Sequence, residues 1–393
     1  MDRQNRFPMT LPSLFGAGLL VVLAPAPAQA ALFGVTNLVS DGFVPAATID
    51  PSLVNPWGVA ASPTGPFWVS DNGTGVSTLY NTAGAKIPLT VTIPTAAGGT
   101  GPASPTGQVF NGTTGFQVSS GGKTAKAVFL FATEDGTISG WAPSVAPTTA
   151  LLAVDNSTMG AGAVYKGLTV GTVGGSSFLY AADFRNGLVE KFDSSFKLVG
   201  SFTDPGVAAG FAPFNTQVLN GNLYVTYALQ NSSKHDNVDG SGNGYVDEFS
   251  LDGTLIKRLV TGTSALNSPW GLAIAPASFG ALAGDLLVGN FGDGTISAFD
   301  PTSGAFAGKL LGADSNPLVL GDLWALTVGN GGAGGDPNKV YFTAGLQDEA
   351  HGLFGSIQAV PEPSTWAMLH AGFGSLGGAL RMRRRRSTNV ALA

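Results

Sequence analysis

Gly294-Thr295-Ile296-Ser297-Ala298-Phe299 is one of six related stretches in this chain of 393 residues. The others are Gly75-Val76-Ser77-Thr78-Leu79-Tyr80, Gly136-Thr137-Ile138-Ser139-Gly140-Trp141, Gly187-Leu188-Val189-Glu190-Lys191-Phe192, Gly244-Tyr245-Val246-Asp247-Glu248-Phe249 and Gly352-Leu353-Phe354-Gly355-Ser356-Ile357. Each opens on a glycine, mostly carries Val, Ile or Phe two residues later, and has a bulky apolar residue five later. The glycines are 50 to 61 residues apart. A period of that length marks a repeat architecture and takes precedence over a division into domains by length.

Before each glycine comes a short run rich in Val, Phe, Tyr and Leu: Phe67 to Ser70, Val128 to Phe131, Phe178 to Ala181, Leu223 to Thr226, Leu286 to Val288 and Val340 to Thr343. Such runs read as strands, and the glycine falls in the connection that turns the chain back. Further upstream lie Pro56-Trp57-Gly58-Val59-Ala60, Pro269-Trp270-Gly271-Leu272-Ala273 and Leu323-Trp324-Ala325-Leu326-Thr327-Val328. A fourth strand can follow the third, as at Lys197 to Phe202 or Leu255 to Val260. No stretch between the termini shows a sustained helical apolar period with caps. Four antiparallel strands recurring about every 50 residues describe a propeller blade. The expected fold is therefore all-β: a six-bladed β-propeller in a single domain over 31–359, with a large β-sandwich or a solenoid as competing readings. Leu32 to Val39 is expected to supply the outer strand of the last blade and tie the ring shut, hiding edges prone to aggregation.

Both termini read as cleavable signals. Arg3 and Arg6 precede an apolar segment from Leu14 to Ala24, followed by Ala28-Gln29-Ala30, which predicts a signal peptide over 1–30 and a mature chain starting at Ala31. At the other end Pro361-Glu362-Pro363 precedes the apolar run Trp366 to Leu380 and the basic cluster Arg381, Arg383, Arg384, Arg385 and Arg386. A permanent spanning helix wants about 20 apolar residues, so this shorter run suits transient engagement of the membrane. The arginines would remain on the cytoplasmic side. In motif and order, 360–386 resembles the PEP-CTERM sorting signal of exopolysaccharide-producing Gram-negative bacteria, with 387–393 a short tail. The resemblance implies export through the inner membrane, with the secretion machinery and a membrane-embedded exosortase as partners, tail removal, and a cell-surface or secreted destination.

Residues 31 to 359 carry 12 Lys/Arg and 23 Asp/Glu, a balance of 12 − 23 = −11. An acidic body without a basic patch is unsuited to nucleic acid. With no cysteine, it uses no disulfides in an oxidising compartment. The body also resembles a group of bacterial secreted proteins of uncharacterised activity that bear the same tag and propeller-like repeats. The stretches that carry this are Asn55-Pro56-Trp57-Gly58, Ser104-Pro105-Thr106-Gly107, and Lys234-His235-Asp236 running into Gly242-Asn243-Gly244-Tyr245-Val246-Asp247. That likeness implies no chemistry, because fold alone does not supply function.

Two constellations carry candidate chemistry. Asp239, Ser241 and Asn243 at alternating positions, the Tyr245 carbonyl and Asp247 follow the layout of a calcium loop, and look like those of FG-GAP repeats. Calcium is the cofactor such a loop would take. Against it, position 12 is Ser250 where an EF-hand has glutamate, position 3 is a neutral Ser, and a polar hairpin with turn residues is the competing reading of the same stretch. The second constellation comes from aligning the repeats. Asp71, Asp183 and Asn290 fall four residues before their glycines and Glu134 two before its own, so all four should lie on one face and could converge on a central funnel. Gluconolactonase-type propellers hold a divalent metal on such a funnel, although no motif here matches that family closely. The competing reading is Asx turns at strand ends.

No catalytic residues are assigned. There is no Cys and no Gly-x-Ser-x-Gly elbow, and His235 and His351 lack partners identifiable by spacing. Trp57, Trp270 and Trp324 open inner strands and suit packing between blades. The expectation is a non-enzymatic surface or matrix propeller that binds a polysaccharide or a surface protein. The rival is a metal-dependent hydrolase or lactonase acting from the funnel.

Overall fold

The structure, a computed structural model, describes residues 31–360. The expected signal peptide over 1–30 and the sorting motif from Pro361 onward lie outside the described residues. Six antiparallel sheets of four main strands follow one another along the chain. The inner strands are Pro56–Ala61, Pro105–Phe110, Tyr165–Val173, Phe211–Leu219, Pro269–Ile274 and Leu323–Val328. Blade 1 continues through Phe67–Asp71 and Val76–Tyr80 to Lys86–Thr92 at the rim. The other blades repeat that order, and all six motif glycines immediately precede or lie one residue before a third strand.

Ring closure follows the expected route. Leu32–Ser40 pairs antiparallel with Leu353–Val360, from Leu32 against Val360 to Ser40 against Leu353, and is the fourth strand of blade 6. Three small elements stand outside the repeat: a hairpin of Gln117–Ser120 with Lys123–Lys126 inserted in blade 2, a 3-10 turn at Ala277–Leu282 in blade 5, and the two-residue strand Thr48–Ile49 beside the closing strand.

The core divides as the architecture requires. One apolar cluster occupies each contact between neighbouring blades, for example Trp68 on Phe129 at 4.1 Å between blades 1 and 2, and Phe202 on Phe249 at 5.1 Å between blades 3 and 4. A seventh cluster lies on the axis and contains Trp57, Phe184, Phe214, Trp270, Phe291 and Trp324. The inner strands approach so closely that a Cβ on Gly58 would come within 2.6 Å of the Thr106 carbonyl oxygen, and one on Gly271 within 2.5 Å of that of Trp324. Glycine is required there by space. The motif glycine answers to two demands: Gly75, Gly136, Gly187 and Gly294 hold positive φ, whereas at Gly352 a Cβ would collide with the Leu53 carbonyl oxygen.

Candidate functional site

The inner strands all start on one face, and the connections from second to third strands return to it, since Pro56 pairs with Asp71 and Pro269 with Asn290. At the axis on this face lies a cluster of aromatic rings. Trp57 stacks on Trp324 at 3.4 Å, Trp270 meets Trp324 edge-on at 5.9 Å, and the Trp324 indole N–H donates to Asn55 Oδ1 at 3.0 Å. All three tryptophans are buried, so they form packing, as their positions in the sequence suggested. On the opposite side of the ring the inner strands line a cavity of about 380 Å³.

Above the aromatic floor stands a polar lattice drawn from five blades. Its centre is Lys166, the second residue of blade 3's inner strand, whose side chain is only 2% exposed. The Lys166 ammonium forms an ion pair with Glu134 Oε1, lies 3.5 Å from Asp236 Oδ1, and sits 4.9 Å from the centre of the Trp57 ring. From blade 1, Asn72 Nδ2 donates to Glu134 Oε2 at 2.9 Å. Asn55 Nδ2 donates to Glu349 Oε2 at 2.5 Å and reaches Asn72 Oδ1 at 3.3 Å. Blade 4 contributes a long connection between Asn222–Leu229 and Tyr245–Phe249, anchored by Gln230 on the Phe184 carbonyl oxygen, which brings His235 and Asp236 to Glu134. His235 Nδ1 lies 2.7 Å from Asp236 Oδ1.

Burial and charge perturb two carboxyls of this lattice. Burial, reinforced by the facing charges of Glu134 and Asp236, pushes the Glu349 carboxyl up to about 7 against the pull of the Asn55 hydrogen bond and Lys166. Asp236 is held down to about 2, first by the His235 hydrogen bond and further by the Lys166 charge, against burial, the second largest effect. At the same mouth Asp322 is raised by burial and by Asp348 and Asp239. Backbone strain gathers here too. Of the eleven non-glycine residues with positive φ among the described residues, seven belong to segments forming this mouth: Asn55, Lys234, Ser268, Asp322 and the consecutive Gln347, Asp348 and Glu349. Each such residue costs about 1–3 kcal/mol and persists only where surrounding structure imposes it. The left-handed turn is held by Glu349 N–H donating to the Gly345 carbonyl oxygen at 2.7 Å and by Asp348 N–H donating to Asp322 Oδ2 at 3.0 Å.

Of the four aligned funnel candidates only Glu134 reaches this lattice. Asp71, Asp183 and Asn290 are fully buried within their own blades: Asp71 accepts from Thr78 Oγ1 at 2.7 Å, Asp183 accepts from Asn186 Nδ2 at 2.6 Å, and Asn290 accepts from the Asn267 N–H at 3.0 Å. They are capping groups at strand ends, and the expected four-residue convergence is corrected to Glu134 alone. A three-residue group the sequence did not suggest does converge: ligand atoms of Glu134, His235 and Asp236 lie within 4.8 Å of one another.

The calcium-loop residues are also separated. Asp239 Oδ1 accepts from Asn237 Nδ2 at 2.6 Å and from Ser268 Oγ at 2.8 Å, and Asn243 Nδ2 donates to the Val238 carbonyl oxygen at 2.9 Å, while Ser241 is exposed. Tyr245 and Asp247 belong to a strand, where alternation turns Asp247 into the blade. Asp247 is buried beside Asp204, Tyr227 and Arg258, with neither carboxylate oxygen hydrogen-bonded to a donor. Burial first and the Asp204 charge second push Asp247 up to about 8. Because that lies above the unfolded value of 3.8, its contribution to stability is complete below about pH 4 and is lost as pH rises through about 8. Asp247→Asn should therefore flatten the fall in stability between pH 5 and 9, by several kcal/mol at most, in urea unfolding at stepped pH. Parallel curves for the two proteins would contradict this assignment.

A ring of six four-stranded blades with an axial polar site on the face where inner strands start defines the chain as a six-bladed β-propeller. The chain is 32% identical over 357 residues to the uncharacterized protein R648 of Acanthamoeba polyphaga mimivirus, covering 88% of this chain and 86% of that one. It is likewise 32% identical over 335 residues to the uncharacterized protein L690 of the same virus, covering 83% and 86%. It belongs to the family of these proteins. Residues 359–386 match the PEP-CTERM protein-sorting motif, which indicates exosortase-mediated sorting to the cell envelope or extracellular space. Among solved structures, virginiamycin B lyase from Staphylococcus aureus aligns with a TM-score of 0.47 at 11% identity, over 84% of this chain and 100% of that one.

Proposed function

We propose that the protein is an exported, envelope- or matrix-associated binding module that takes a hydroxyl-rich carbohydrate segment in its axial funnel. The observation that carries this reading is Lys166. Its place as second residue of an inner strand corresponds to Trp57, Thr106, Trp270 and Trp324 in four other blades, and Phe214 fills the equivalent axial position in blade 4. The fold thus closes around neutral side chains, and an ammonium at the axis costs desolvation that packing does not require. Departures of this kind from local consistency are expected at functional sites. The groups around it are planar amides and carboxylates, Asn55, Asn72, Glu134, Asp236 and Glu349, each able to bridge neighbouring hydroxyls of a sugar.

A divalent cation is the second reading, favoured by the convergence of Glu134, His235 and Asp236. Against it stands the Lys166 ammonium, already paired with two of these carboxylates. The test is calorimetric titration of the released protein with oligosaccharides from partial acid hydrolysis of the producing cells' surface polysaccharide. Saturable binding that weakens at least tenfold in Asn55→Ala is expected. Absence of binding in metal-free buffer, with uptake of one divalent ion per chain, would favour the cation instead.

A further inference from the structure

The cavity on the side of the ring away from Lys166 differs in kind from the polar lattice. In five blades its lining begins at the third or a later residue of the inner strand, as at Gly58, Gly107 and Leu168. Its volume of about 380 Å³ is at the small end of the range for small-molecule sites. Each inner strand ends its sheet, so one of its edges pairs with nothing in the blade and turns toward the axis. Such an edge presents backbone N–H and C=O groups at alternate residues. Between these edges the wall is largely aliphatic, with Val59, Val109, Val170 and Leu326, and no Lys, Arg, His, Asp or Glu belongs to it. Half-buried Gln217 from blade 4 and Thr327 from blade 6 add an amide and a hydroxyl. Blade 5 contributes Trp270, which is also a member of the axial aromatic cluster. Trp270 is only 4% exposed, and its indole N–H has no hydrogen-bond partner. A buried donor left unpaired calls for a ligand or water.

We propose that this cavity is a second binding site, which takes a small uncharged amide carrying an apolar substituent. A charged ligand would leave water for a wall without a counter-ion, a cost that nothing here offsets. A polyol would leave the valine and leucine surfaces without apolar cover, and a plain hydrocarbon would leave the strand edges and the Trp270 indole unpaired. An amide meets both demands. Its N–H and carbonyl oxygen match the alternating acceptors and donors of a strand edge, and the carbonyl oxygen is the acceptor that the Trp270 N–H lacks. The apolar substituent covers Val59, Val109, Val170 and Leu326. The site uses none of the residues of the Lys166 lattice and does not depend on the carbohydrate reading.

The experiment is calorimetric titration of the protein at pH 6 with three probes of nearly one shape: neutral N-acetylleucinamide, anionic N-acetylleucine and cationic leucinamide. Wild type should bind the neutral probe saturably, and the anionic probe at least about tenfold more weakly. Trp270→Phe keeps an aromatic ring in the axial cluster but removes the donor, and should weaken the neutral probe roughly fivefold. Thr327→Glu sets a carboxylate in the wall at a half-buried position, and should make leucinamide the tighter ligand of the two amides. Should Trp270→Phe fail to fold, the charge series and Thr327→Glu still decide. No saturable uptake of the neutral probe by wild type, or equal affinity for the neutral and anionic probes, would overturn the proposal and leave the cavity to solvent. Wild-type affinities in both folded variants would overturn it as well, by placing the amide elsewhere on the protein.

Discussion

Deleting Leu32 to Ser40 is expected to abolish cooperative folding of the whole ring. The strand pairs along its length with Leu353–Val360, and a bulge between Asn37 and Val39 keeps Val39 opposite Phe354. It also carries apolar contacts: Phe33 is 2% exposed and lies 4.8 Å from Phe279, and Val39 is fully buried beside Phe354 in the contact between blades 6 and 1. Losing a single buried Phe costs about 3–5 kcal/mol, and a domain has only about 5–15 kcal/mol in total. The deletion would remove several such residues and expose the backbone edge of Leu353–Val360. The truncated chain should elute as aggregates and melt without a sharp transition, measured by size-exclusion chromatography and thermal circular dichroism. A monomer with an unchanged midpoint would refute this closure.

The second large effect is expected from Lys166→Met. Methionine keeps the apolar stem over Trp57 but removes the charge, leaving Glu134, Asp236 and Glu349 facing one another. Breaking a buried pair by removing one partner costs about 3–5 kcal/mol, much of it the stranded charge. The sign of the pH dependence follows. Lys166 is among the groups that lower Asp236 and Glu349, so without the ammonium both sit higher in the folded state than in the wild type, and the variant's deficit should shrink as they protonate. Urea unfolding should show a large deficit at pH 8 and a smaller one at pH 5. Equal stability of the two proteins at pH 8 would mean that Lys166 is not the counter-ion of this lattice.

The repeat period carried the architecture because a blade is local: its four strands are consecutive, and the glycine between second and third strands marks each one. Closure by the first strand was legible for a related reason, since five units could complete themselves and the last needed a strand from elsewhere. The site was not legible by the same route. Its residues, Asn55, Asn72, Glu134, Lys166, His235, Asp236 and Glu349, lie far apart in the chain and meet only because the ring brings five blades to one axis. Alignment on the glycine selected Asp71, Asp183 and Asn290, whose shared position is a capping position buried in the blade. Glu134 differs by falling two residues nearer its glycine, just beyond the strand end at Thr133, and that offset takes it to the funnel.

For Lys166 the sequence does hold a signal. Aligning the inner strands instead of the glycines places it opposite three tryptophans and a threonine, and a lone charge at an otherwise neutral position marks a site by pattern alone. Glu349 leaves no such mark. Its presentation depends on three successive left-handed residues, Gln347 to Glu349, and nothing in those residue types calls for that backbone. For Asp247, reading the calcium loop straight through ignored the strand beginning at Tyr245, whose alternation turns the carboxylate away from Asp239.

The central claim, that ligand enters the axial funnel, is tested most directly by amide hydrogen exchange of the protein with and without the surface oligosaccharide pool. Protection should concentrate in two segments, 230–244 of blade 4 and 345–351 of blade 6, with little change in the outer strands Leu198–Phe202 and Leu255–Thr261. Protection confined to those outer strands, with both funnel segments exchanging as in the free protein, would contradict it.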